Sequence, residues 1–158
     1  MSASTVKAIP DDYPIIAPYL CVGDGAKAID FYMQAFGASV RLRMDGPGGK
    51  VMHAELALAG GLIMLADEFP QMNFRSPQTL GGSPVGIHVY VTDVDALATR
   101  AVAAGGKLQG PVETQFYGDR TARIMDPFGH LWHFATHVED VSPEETRRRH
   151  EAMASGTK

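Results

Sequence analysis

An α+β chain built from two copies of one βαβββ unit is expected on three observations. GIHVYVTDVDALATRAVAAGG at 86–106 reads as a strand feeding a helix, and APYLCVGDGAKAIDFYMQAFG at 17–37 reads the same way. Set over one another without a gap, Val22 falls on Val91, Asp24 on Asp93, Ala35 on Ala104 and Gly37 on Gly106, always 69 residues apart. Each match sits where geometry makes a demand: a strand end, a helix N-cap, a helix face and a C-terminal glycine. Strand-like runs broken by glycine turns then follow each helix.

Residues 1–14 are small, polar and proline-containing, and read as a mobile tail. The first unit spans 15–66. Its first strand is Ile15 to Val22, and Asp24 caps a helix whose Ala28, Phe31, Tyr32 and Ala35 form one apolar stripe ending at Gly37. Strands follow at Ser39 to Met44, Val51 to Ala59 and Leu62 to Ala66, with DGPGGK at 45–50 as a turn. A linker at 67–84 is too long for a tight turn, and Phe69, Met72 and Phe74 give it apolar weight suited to a lid or an interface.

The second unit, 85–138, repeats the order. Val85 to Val91 is a strand, Asp93 caps a helix with the stripe Val94, Leu97, Ala98 and Ala101, and Gly105 and Gly106 end it. An irregular strand at Lys107 to Tyr117 leads to strands at Arg120 to Met125 and Leu131 to His137, joined by the turn Asp126-Pro127-Phe128-Gly129. In the segment 139–158 a final helix starts at Ser142, with Pro143 at its first position and Glu145 closing a capping box.

Bulk composition removes several function classes. The chain has 158 residues, 45% hydrophobic and 20% charged, with a net charge of −4 and no basic stripe to neutralise phosphates, so nucleic acid is not the expected partner. No apolar run is long enough to span a bilayer, and no membrane partner is expected. The single Cys21 excludes an intramolecular disulfide, reads as a buried apolar residue and suits a reducing cytoplasm. The glycine runs lack the lysine, serine and helix of a phosphate loop, and there is no CxxC pair or serine triad.

In each unit the more apolar strand face should pack on the helix. The other faces, with the two sheets set edge to edge, should line a shared cup-shaped mixed sheet. Alternation sends Tyr19, Cys21, Leu62, Met64, His88, Tyr90, Leu131 and His133 to that cup. On the third strand Met52, Leu56 and Leu58 go to the helix side, and His53 and Glu55 to the cup wall.

These paired units, the VGD and VTDVDAL strand-to-helix joints and DPFGHLWHFATHVEDVSPEE resemble the glyoxalase and bleomycin-resistance superfamily, also called vicinal oxygen chelate. PQTLGGSP at 77–84, YGDRTARIMDPFGH at 117–130 and THVEDVSPEE at 136–145 are most similar to its PhnB-like branch. The resemblance implies a homodimer and a cup that holds a small molecule. Enzymes of the superfamily bind a divalent metal through one side chain from the first and last strand of each unit. Those positions carry over to Ala17, Met64, Gly86 and His133, of which only His133 can ligate.

Three readings follow. One is a cytoplasmic small-molecule-binding protein holding a hydrophobic or aromatic ligand through Tyr19, His53, Met64, His88, Tyr90, Phe116 and His133. The alternative is a metal-dependent lyase, isomerase or dioxygenase with a displaced site of His88, His133 and Glu55 for Zn, Ni, Fe or Mn, with Glu55 or His88 as the catalytic proton carrier. A filled cup serving only as a partner scaffold is a third. His88 beside two tyrosines reads best as a polar lining residue bonded to one of them, and Arg123 as the partner of Glu55. His130 reads as a turn residue, His137 as surface or interface, Trp132 as core, and Arg120 as an ion pair or an anion grip.

Overall fold

A computed structural model describes residues 6–156. Strand β1 (Tyr19–Val22) leads into helix α1 (Gly25–Phe36), followed by β2 (Ser39–Asp45), β3 (Val51–Leu58) and β4 (Gly61–Asp67). A short helix α2 (Pro77–Leu80) lies in the linker. The second unit comprises β5 (Gly86–Tyr90), α3 (Val94–Ala103), β6 (Lys107–Leu108), β7 (Glu113–Thr114), β8 (Asp119–Met125) and β9 (Leu131–His137), and α4 (Pro143–Ser155) closes the chain.

Helices α1 and α3 begin as their sequences require. The Asp24 carboxylate accepts from the Lys27 N–H at 3.1 Å and Asp93 from the Ala96 N–H at 3.0 Å, which satisfies donors the first turn would leave free. Gly37 ends α1 at φ 73°, a left-handed conformation that costs glycine nothing. The two apolar stripes are buried as expected.

The strands make two sheets, β1-β4-β3-β2 and β5-β9-β8-β6, with β7 also pairing β8. In each, the first strand runs parallel to the last, and Tyr19 pairs Met64 as His88 pairs His133. The repeat therefore extends to hydrogen-bond register. The α+β class and the first βαβββ unit stand; in the second unit the expected irregular strand at 107–117 is two separate two-residue strands, β6 and β7, each paired to β8, because Gly110 and Pro111 interrupt the ladder. Among the described residues the sheets form no ladder with each other, and β1 and β5 each have an edge outside any ladder. Tyr32 and Phe36 of α1 reach Trp132 and Phe134 of β9, with ring centroids 5.3 Å apart for Tyr32–Trp132 and 4.6 Å for Phe36–Phe134. One core therefore serves both units.

Asp126 ties this core together. Its buried carboxylate accepts from Tyr32 Oη at 2.6 Å, Trp132 Nε1 at 2.9 Å and the backbone N–H groups of Phe128 and His130 at 2.9 Å each. Burial, followed by this carboxylate, holds the Tyr32 phenol well above its ordinary value. Asp67 does a similar service in the first unit, accepting from the N–H groups of Gly25 at 3.1 Å and Val51 at 2.6 Å.

Several expectations need correction. Regular β1 starts only at Tyr19, because Pro18 offers no N–H to a ladder. Residues 1–5 of the expected tail lie outside the described residues, while Tyr13 is docked through a hydrogen bond to Glu55. Met52 is exposed rather than on the helix side: the β2–β3 register shifts between Met44 and Asp45, and the alternation slips there. The linker, by contrast, is packed on itself as its length and apolar residues lead one to expect, through a Phe69–Phe74 bridge and through Glu68, which accepts from the Ser76 N–H and the Thr79 hydroxyl.

Candidate functional site

On the outer face of the first sheet, Tyr19, Met64 and Glu55 stand side by side across β1, β4 and β3. Glu55 is only 5% exposed, so its carboxylate needs partners, and it has two. The Tyr13 hydroxyl lies 2.9 and 3.0 Å from its oxygens, and His53 Nε2 lies 3.2 Å away. Because a carboxylate only accepts, a neutral His53 carries its proton on Nε2, and its Nδ1 accepts from the Tyr19 hydroxyl at 2.7 Å. The Tyr13 phenol is raised above its ordinary value, first by the Glu55 hydrogen bond, and Tyr19 is raised first by burial. Both stay protonated near neutral pH. Tyr19 also borders an open apolar recess of about 490 Å³, lined further by Met52, Ala66, Phe69, Met72 and Phe74.

The second sheet presents a different recess, of about 330 Å³, whose lining includes His88, His133, Arg123, Glu113, Gln115 and Tyr117. Burial, then Arg123 and His88, lower the His133 imidazole below its ordinary value. Its ring rests on Gly86: a Cβ there would lie 2.6 Å from His133 Nε2.

The candidate residues thus fall into two groups, Tyr19, His53, Met64 and Glu55 on one sheet and His88 and His133 on the other. The displaced metal set is not gathered, because the Glu55 carboxylate is engaged by Tyr13 and His53 on the first sheet. Among the described residues no three His, Cys, Asp or Glu side chains converge as a metal site. The superfamily's four metal positions fit no better, since only His133 carries a donor and its ring occupies the space a side chain at 86 would need.

Other assignments change as well. His88 meets Tyr90 through ring packing at 4.9 Å, while the Tyr90 hydroxyl donates to Asp119 at 2.7 Å; the tyrosine-bonded histidine is His53. Phe116 packs on His150 of α4, and its neighbour Tyr117 lines the recess instead. Arg123 donates to the Gln109 carbonyl at 2.9 Å rather than to Glu55. Arg120 keeps the ion-pair reading, donating to Asp95 at 2.6 and 2.7 Å. His130 is buried, with Nε2 2.8 Å from the Cys21 carbonyl oxygen. Cys21 is buried as expected, and burial pushes its thiol up to about 11. Tyr13 and Gln115 were missed. An aromatic in an otherwise polar tail was the available signal for Tyr13; Gln115 gave none.

A sequence profile described as the Glyoxalase/Bleomycin resistance protein/Dioxygenase superfamily matches residues 15–134. The chain belongs to that superfamily. An uncharacterized protein of Mycobacterium bovis is 42% identical over 146 residues, covering 90% of this chain and 96% of the relative. An uncharacterized protein of Arabidopsis thaliana is 30% identical over 130 residues, covering 78% of this chain and 76% of the relative. Among solved structures, TioX from Micromonospora sp. ML1 has a TM-score of 0.62 at 28% identity, covering 78% of this chain and 98% of that one. The fosfomycin resistance protein FosX from Listeria monocytogenes, complexed with Mn(II) and sulfate, has a TM-score of 0.62 at 19% identity, covering 87% of this superfamily member and 97% of FosX. At that identity the likeness concerns the fold alone.

Proposed function

We propose that the protein is a small-molecule-binding member of the PhnB-like branch, taking a hydrophobic or aromatic ligand on the outer face of its first sheet. The supporting observation is the apolar recess of about 490 Å³ beside Tyr19, whose hydroxyl is fixed by His53 and the buried Glu55. Core packing needs none of this: Tyr19 is 47% exposed and Met72 80%. An open aromatic and methionine surface with a few placed polar groups suits an apolar ligand. The branch assignment rests on the segments at 77–84, 117–130 and 136–145.

The protein acts in the cytoplasm as a homodimer in this reading. A lone, buried cysteine suits a reducing compartment, and no helix among the described residues is long and apolar enough to cross a membrane. Ile15, Ile16, Leu80 and Val85, exposed near the starts of β1 and β5, are surface that a second copy would cover.

A neutral naphthalene-type fluorescent probe tests the site. It should bind the wild type and bind Tyr19→Ala and Phe74→Ala on the order of tenfold more weakly. Equal binding to all three proteins would reject the site. Light scattering should give twice the 17.0 kDa chain mass, and a monomer at micromolar concentration would reject the dimer.

A further inference from the structure

His88, His133 and Arg123 form a row across three adjacent strands. His88 pairs His133 between β5 and β9, and His133 pairs Arg123 between β9 and β8. Side chains paired in this way share one face with Cβ atoms about 5 Å apart, where like charges destabilise a sheet. The same places in the first unit hold Tyr19, Met64 and Glu55, so this basic row is not a requirement of the repeat.

Among the described residues no carboxylate forms an ion pair with Arg123, His88 or His133. Arg123 forms no ion pair and donates only to a backbone carbonyl, whereas its neighbour Arg120 has a bidentate carboxylate. Glu113 also lines the recess, where its Oε1 accepts from Gln115 Nε2 at 3.4 Å. Asp119, at the other end of β8, is hydrogen-bonded by Tyr90 and His137 and reaches His88 only through its charge. Glu55 of a second copy would be a poor partner, because Tyr13 and His53 already hold that carboxylate.

From this row we infer that the second-sheet recess binds the anionic head of a small organic acid, a carboxylate or phosphate group set against Arg123, His88 and His133. The guanidinium fork suits both head groups. Gln115 and Tyr117 supply further polar contacts, and Pro111 and the Tyr117 ring an apolar wall. Burial lowers the His133 imidazole first, with Arg123 and His88 adding to it, so Arg123 carries the lasting charge of the row and the two imidazoles serve as hydrogen-bonding groups. The inference rests on the proposed function only in taking the outer sheet faces as binding surfaces, and it concerns a different recess.

Calorimetric titration at low salt with inorganic phosphate, benzoate and neutral benzamide tests it. Phosphate and benzoate should bind, with benzamide at least about tenfold weaker. Arg123→Gln should weaken both anions at least about tenfold, His88→Asn should weaken them measurably, and Arg147→Gln on exposed α4 should leave them unchanged. The neutral naphthalene probe should bind Arg123→Gln as it binds the wild type, so loss of anion binding is separable from loss of the Tyr19 recess. Absence of anion binding at roughly 10 mM, benzamide binding as tightly as benzoate, or wild-type anion affinity in Arg123→Gln and His88→Asn would overturn the inference.

Discussion

His137 lies between two carboxylates, with Nδ1 2.8 Å from Asp119 and Nε2 2.8 Å from Asp140. Both ring nitrogens therefore donate, which favours the imidazolium and raises its titration, first through the Asp119 hydrogen bond. For Asp119, burial works to raise the carboxyl, but the hydrogen bonds from His137 and Tyr90 outweigh it and the net shift is downward. A histidine raised on folding stabilises fully below its unfolded value of about 6.5 and loses that contribution as pH climbs through the folded value. A depressed aspartate contributes above about 3.9 and loses its share as pH falls through its folded value. The melting-temperature deficit of His137→Ala should accordingly be largest near about pH 6 and shrink toward about pH 9. A deficit constant across that interval would contradict the pairing. None of this was visible in the sequence, where His137 read only as surface or interface: Asp119 is 18 residues away and meets it only through strand pairing.

At the scale of elements, α1 and α3 start with the same device. Replacing Asp24 or Asp93 with Ala should each cost about 1 kcal/mol in urea unfolding, and the two losses should add because the caps share no partner. A loss at one position alone would show that the repeat in sequence is not a repeat in energetics. The caps, both apolar stripes and the Gly37 stop were all legible, because each follows from local spacing and chain geometry. Met52 was not legible, since a bulge in β2–β3 pairing cannot be read from the alternation of one strand. Phe116 was not legible for a similar reason: the loop between β7 and β8 follows no period, and α4 covers that ring while Tyr117 lines the recess.

Across the whole molecule, Asp126 joins the units by accepting from Tyr32 of the first and Trp132 of the second. Asp126→Ala would leave two buried side-chain donors and two backbone N–H groups unpaired. It should destabilise by about 3 kcal/mol or more, with one cooperative transition retained. Two separate transitions would mean that the halves fold independently. The doubled architecture was readable from the 69-residue offset, but the facing of the halves was not, because it depends on how far the rings of α1 reach beyond their own unit. Tyr13 carries one more consequence. A ligand that used the Glu55 carboxylate would meet a rival phenol tethered at high effective concentration by the chain itself, and its apparent affinity would fall by the fraction of time that phenol is bound. Shortening the chain to begin after Tyr13 would remove that competitor without altering a residue of the sheet.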